Sequence, residues 1–252
     1  MTIYKKFILN ILIISTILLY VSSCVNNEAK YLIFPGNFDD VNPASPLSLP
    51  YTEDFNNGSF NNVQDFNPGL KWKIVKDKGN KVLKCVAINP AEVPMGMDIF
   101  DLMIGDKTWT NYTFSFDCKI AKDSYIYFAP FADTNADNYT DYPPGRNPWS
   151  LQLDYEGVLI YQTVFGHDWH YIGEKSDKFD STGTQKTKPI DGFIADKWNH
   201  IELIPVGLDL QMTINGINIG KVAEIHDGES GRVSIGGNVG CMFDNLSIKP
   251  AN

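Results

Sequence analysis

Between Asp133 and Tyr171 the sequence gathers residues suited to one kind of chemistry, flat aromatic rings beside groups that hold hydroxyls. Tyr139, Tyr142, Arg146 and Trp149 lie in or beside a long Pro-rich loop, and Trp169, His170 and Tyr171 follow shortly after; Gln152, Asp154 and Tyr161 fall between them. Aromatic faces pack against the C–H faces of sugar rings, while amides and carboxylates take the hydroxyls at the ring edge. A long loop inside a compact domain is often functional. For any one of these aromatics, covering the ends of a core is the competing explanation. As a cluster, exposed aromatics cost solubility unless they are used. The expected contact set is Arg146, Trp149, Gln152, Asp154, Tyr161, Trp169 and His170, and the expected partner is a glycan.

Other chemistries fit poorly. His167 and His170 are three apart in a stretch that reads as strand or loop, which points them to opposite sides and argues against zinc. No Gly-x-Ser-x-Gly elbow is present, and Gly236-Gly237-Asn238-Val239-Gly240 joins two strands with no helix after it, unlike a phosphate-cradling loop. Asp133-x-Asn135-x-Asp137 begins like a calcium loop but lacks glycine at its sixth place and has Pro144 where the bidentate glutamate belongs, so it reads as an Asx-rich turn.

The elements that must position these residues are short alternating strands. Tyr112, Phe114, Phe116, Cys118 and Ile120 share one face, with Thr113, Ser115, Asp117 and Lys119 opposite, the pattern of a strand packed on one side and wet on the other. Leu208, Leu210, Met212 and Ile214 alternate in the same way, and Asn215-Gly216 supplies the two φ > 0 residues of a tight hairpin. That turn predicts Ile214 opposite Ile217 and Met212 opposite Ile219, with both strands burying one face. A second hairpin at Glu156-Gly157 predicts Tyr155 opposite Val158 and Leu153 opposite Ile160, leaving Ser150, Gln152, Asp154, Leu159, Tyr161 and Thr163 outward. Strand signals recur from Trp72 to Ile248 without a convincing amphipathic helix or internal repeat, which predicts an all-β, antiparallel two-sheet sandwich over residues 51–250.

Upstream, Lys5 and Lys6 precede an apolar run from Phe7 to Leu19, too short for a spanning helix with a stop-transfer flank and typical of a secretion signal over residues 1–23. The segment ends Val21-Ser22-Ser23-Cys24, which resembles the lipobox of bacterial lipoproteins, where the cysteine is acylated and becomes the new N-terminus. The resemblance implies anchoring to a membrane of the bacterial envelope through lipid on Cys24, the outer membrane being the expected one, with residues 24–50, rich in Asn, Asp, Pro and Ser, as tether. Loss of residues 1–23 removes two lysines and no acid, taking the formal charge from −9 to −11. That balance disfavours nucleic acid and anionic polymers and points to a neutral glycan. Cys85, Cys118 and Cys241 remain, an odd number without a C-x-x-C pair; one disulfide with one free thiol is open, and three buried thiols is the expected state.

The order Glu53-Asp54-Phe55-Asn56-Asn57-Gly58, Gly79-Asn80-Lys81-Val82-Leu83-Lys84, Trp109-x-Asn111-Tyr112, Leu151-Gln152-Leu153-x-x-x-Gly157, Trp198-Asn199-His200-Ile201, Ile214-Asn215-Gly216 and Phe243-Asp244-Asn245 resembles the concanavalin A-like lectin/glucanase superfamily. Its order and spacing are similar to laminin-G-like modules and to the lectin-like domain of galactocerebrosidase. The resemblance implies a jelly-roll sandwich whose concave face binds carbohydrate. Retaining glycosidases of this fold carry Glu-x-Asp-x-Glu on one strand, which the chain lacks; Asp154-Tyr155-Glu156 is the nearest approach, with Glu156 at a turn. The resemblance also implies a structural calcium ion on Asp54, Asn57 and Asp244, weakened by Asn56 where many relatives place a glutamate. The expected function is noncatalytic, lectin-like glycan binding at a membrane. A glycoside hydrolase or lyase, and a structural subunit of an outer-membrane assembly, are the alternatives.

Overall fold

Strict alternation of buried and wet residues builds the strands. In the computed structural model, which describes residues 47–58, 63–65, 70–88, 102–132, 149–163, 169–181, 183–225 and 230–251, no helix occurs among the described residues. The chain divides into two units, Met1–Asp40 and Val41–Asn252, and every described residue belongs to the second. Cys24, the Asp133–Asp137 turn, Tyr139, Tyr142, Arg146 and His167 lie outside the described residues.

Among the described residues there are seventeen strands: β1 (Tyr51–Glu53), β2 (Val63–Asp65), β3 (Leu70–Asp77), β4 (Asn80–Ile88), β5 (Leu102–Ile104), β6 (Tyr112–Lys119), β7 (Tyr125–Ala129), β8 (Trp149–Asp154) and β9 (Leu159–Thr163), followed by β10 (Trp169–Ile172), β11 (Lys175–Phe179), β12 (Gln185–Thr187), β13 (Asn199–Val206), β14 (Asp209–Ile214), β15 (Ile217–Glu224), β16 (Val233–Gly237) and β17 (Met242–Pro250). One sheet runs β15-β14-β13-β6-β17-β4-β3, with β1 also paired to β17; the other runs β10-β9-β8-β7-β16-β5-β2; β11 and β12 form a separate ribbon. All the pairings are antiparallel. The result is the expected antiparallel jelly-roll sandwich.

The core lies between the two sheets. Phe114 and Phe116 of β6 stack with ring centroids 5.0 Å apart, and Phe116 meets Phe128 of β7, across the sandwich, edge to face at 5.3 Å. Fully burying one such side chain contributes about 1.5–3 kcal/mol relative to leaving it in water. A polar strut joins the sheets as well: the Tyr112 hydroxyl accepts the Phe131 N–H at 2.6 Å and donates to the Gly231 carbonyl at 3.0 Å. Trp109 is buried, and its indole N–H donates to the Leu47 carbonyl at 2.9 Å, so the chain just upstream of β1 is tied to the core. Cys85, Cys118 and Cys241 are buried free thiols.

Two expectations of register need correction. At Asn215-Gly216 the turn forms as expected, with φ of 51° and 80° and Ile214 opposite Ile217. Beyond it a bulge shifts the pairing, so Met212 faces Gly220 rather than Ile219, and Ile217 is 46% exposed. A bulge adds one unpaired residue and re-aims the strand, so Ile217 and Ile219 near the turn are not buried, whereas Val222 and Ala223 farther along β15 are. At the other hairpin Leu153 pairs with Leu159, not Ile160, and Gln152 with Ile160. The loop spans Tyr155, Glu156 and Gly157, closed by Asp154 N–H to Val158 O at 3.1 Å, so β9 is one residue out of the expected phase. Leu159 is fully buried in the core, and Ser150, also expected outward and wet, is fully buried.

Candidate functional site

Alternation along β8, β9 and β10 sorts the expected contact residues onto two faces. On the sheet face away from Leu151, Leu153 and Phe128, the pairings align Tyr171, Ile160, Gln152 and Tyr127 in one row, with Asp154 beside Tyr125 in the next. Tyr125, Gln152, Asp154, Ile160 and Tyr171 are partly exposed, and Tyr127 is buried. The Tyr125 and Tyr127 rings meet edge to face at 4.9 Å. Trp169 pairs with Gln162, two residues along from Tyr171 on the same strand, and its register position is on this face; Trp149 is in phase with Leu151 and Leu153.

Charge on this face is shaped by burial. Asp154 Oδ1 accepts the Val158 N–H at 2.9 Å, so the carboxylate caps the hairpin as well as facing outward. Its pKa is raised, chiefly by desolvation, with Glu156 adding repulsion and backbone N–H groups and Lys186 opposing. Tyr171 donates its hydroxyl to Asp180 Oδ2 at 3.2 Å, and its phenol is pushed up to about 12 by burial, by that bond and by the charges of Asp180 and Asp154. The face therefore offers rings, an amide, and a carboxylate that takes a proton more readily than an exposed one.

Tyr161 and His170 go elsewhere. Tyr161 pairs with Leu151 and His170 with Tyr161, which puts both on the side of the core, at the edge where the sandwich opens. Their rings stack with centroids 4.9 Å apart and planes 29° apart. With Ile172, and with Lys221, Val222, Ala223 and Glu224 of β15 in the opposite sheet, they line a cleft of about 490 Å³. Lys221 Nζ lies 2.7 Å from both Asp209 Oδ1 and Glu224 Oε1. Lys221 and Glu224 were not legible as site residues, because only the three-dimensional pairing brings β15 opposite β9 and β10.

The carboxylates expected for calcium divide between two cavities that share Asn245. Asp54 and Asn57 line one of about 550 Å³ with Glu53 and Ser247; Asp244 lines another of about 300 Å³ with Asp77, Asp117 and Trp198. Asp244 accepts hydrogen bonds from the Asn80 amide and, at 2.9 Å, from the Asn245 N–H, and its pKa is raised mainly by burial and then by the charges of Asp117 and Asp54. Beside it, Asp117 Oδ1 lies 2.6 Å from His200 Nδ1, and Asp117 Oδ2 accepts from Asn245 Nδ2 at 2.7 Å. Calcium takes six to eight oxygens around one point. Asp54 and Asn57 line one of these adjoining cavities and Asp244 the other, with the Asp54 charge acting on Asp244; no group of three His, Cys, Asp or Glu residues suited to a metal occurs among the described residues.

No protein-family model matches the sequence, and no curated protein does. Among solved structures, the chain is similar to a sialidase at 10% identity and a TM-score of 0.51, covering 81% of this chain and 18% of that one. An endo-β-galactosidase from Clostridium perfringens that releases GlcNAcα1-4Gal matches at 11% identity and a TM-score of 0.49, over 86% of this chain and 66% of that one. A Bacillus subtilis protein with a galectin-like fold matches at 11% identity and a TM-score of 0.45, over 79% and 94%. At such identities the likeness is one of fold alone, and the fold is an antiparallel jelly-roll β-sandwich.

Proposed function

We propose that the protein binds a neutral glycan, without cleaving it, on the outward face of the sheet formed by β10-β9-β8-β7. The observation that carries this reading is the alignment of Tyr171 and Gln152, with Asp154 and Tyr125 one row away, as rings and hydroxyl partners on a single face. Trp169 is on the same face by register, and Arg146 belongs to the segment that leads into β8, while Trp149, the first residue of β8, is in phase with Leu151 and Leu153. Solved proteins of similar fold include a carbohydrate-binding module and galectins, which agrees with this reading but does not carry it. The formal charge of −9 favours neutral over anionic polymers. In the same reading Cys24 carries lipid and holds the domain at the bacterial outer membrane; Cys24→Ala would then shift the protein from the membrane to the soluble fraction.

The test is electrophoresis of the full chain through gels cast with neutral polysaccharides. Retardation by at least one polymer is expected, with Tyr125→Ala and Gln152→Ala each weakening it about tenfold, as loss of a packed ring or of a paired amide would. Migration unchanged by every polymer would overturn the reading, and release of reducing ends from a bound polymer would overturn its noncatalytic part.

A further inference from the structure

The cleft lined by Tyr161 and His170 has no role in the reading above, although it lies on the other side of the same two strands. Its walls differ in kind. Ile172, Val222 and Ala223 give an apolar floor, with Val222 and Ala223 buried to 4% and 6% exposure. His170 is exposed and stacks on Tyr161, so one ring backs the other and leaves a flat surface at the mouth. Across from it, Lys221 Nζ and Glu224 Oε1 stand 2.7 Å apart, an ammonium donor beside a carboxylate acceptor. Two neighbouring hydroxyls on a sugar ring match such a pair, one accepting from the ammonium while the other donates to the carboxylate, and both bonds are charge-assisted. The volume of about 490 Å³ falls within the range of small-ligand sites.

We propose that this cleft is a second saccharide subsite, which takes a single neutral pyranose with vicinal hydroxyls, its C–H face on His170 and its diol on Lys221 and Glu224. Neutrality follows from the charges: Asp209 and Glu224 outweigh Lys221, to which both are bonded, so a uronic or sialic acid carboxylate would meet net repulsion. The inference rests on the glycan-binding reading and adds a site to it. Because Gln152 and Ile160 face outward while Tyr161 faces the cleft, a branched or folded glycan could be held on both sides of the β9–β10 edge.

The experiment is saturation-transfer NMR on the full chain with methyl β-galactoside, methyl β-glucoside, methyl α-mannoside and glucuronate. Binding of at least one neutral glycoside is expected, weakened about tenfold or more by His170→Ala and by Lys221→Met and kept within about threefold by His170→Phe, which retains the plane. Glucuronate is expected to bind more weakly by a similar factor. Binding lost in Gln152→Ala but intact in His170→Ala would overturn the cleft and leave the outward face standing. Glycoside binding by neither site, with polysaccharide retardation still seen, would also overturn the cleft; loss of retardation as well would overturn the glycan reading itself. Equal binding of glucuronate would overturn the neutral assignment, and a His170→Phe protein that binds no better than His170→Ala would overturn the stacking.

Discussion

The hairpins at Asn215-Gly216 and Glu156-Gly157 present the same outline in sequence, a polar residue and a glycine between alternating strands, yet they close differently. Asn215 adopts φ of 51° and Gly216 φ of 80°, so two residues suffice. At the other turn only Gly157 has positive φ, 85°, and the loop takes a third residue, Tyr155, with Asp154 capping it. Asparagine enters the left-handed region at small cost because its short amide bonds locally, whereas glutamate gains no such return. Asn215 is held there by bonds to a neighbouring loop and strand as well. Its Nδ2 donates to the Gly192 carbonyl at 2.8 Å and to Asn199 Oδ1 at 2.9 Å, and its Oδ1 accepts the His200 N–H at 2.9 Å. One residue of loop length then decides which side chains of β9 face outward.

Removing that residue gives the sharpest test. Deletion of Glu156 would leave two residues to close the turn and push β9 back by one, taking fully buried Leu159 out of the core. A loss of about 3 kcal/mol or more is expected in urea unfolding, the scale of emptying a buried leucine site; unchanged stability would mean that loop length does not set the register. Asn215→Ala should cost about 2 kcal/mol, from left-handed strain and the lost amide bonds, with Asn215→Gly recovering the strain part. Equal losses for the two would show that only the bonds matter.

The smallest effect is expected at the cap. Burial raises the pKa of Asp154 in the folded chain above its unfolded value near 3.8. The folded state then holds the proton more tightly, so this group lowers stability as pH rises from the unfolded pKa through the folded one. Asp154→Asn keeps an oxygen for the Val158 N–H and removes the buried charge. Its unfolding midpoint should be flatter across that window and slightly higher at neutral pH; a midpoint that instead falls at neutral pH would mean that the charge itself strengthens the cap.

The same contrast explains what was legible in the sequence. Fold class rested on alternation, as in Tyr112–Lys119, and every second residue of that strand is buried as expected. Gln152 and Asp154 stay together because they are two apart on one strand, whatever the loop does. Tyr161 and His170 depended on loop length, which glycine alone leaves open. The contact of Asp117 with His200 joins residues 83 positions apart, and nothing local announces which strand will lie beside β6. The bulge in β15 was equally silent, since Ile217 and Ile219 keep an apolar alternation that the backbone then abandons.

The three thiols set how the protein meets oxidants. Burial raises the Cys118 thiol well above its ordinary value, with nearby Cys241 and Asp117 adding to the effect, and pushes Cys241 up to about 11. Thiolate is the form that attacks peroxide and disulfides, and a pKa of about 11 leaves on the order of one molecule in 10⁴ in that form at pH 7. Oxidants would therefore have to wait for the sandwich to open, which makes the rate of thiol labelling a clock for unfolding rather than a measure of redox state.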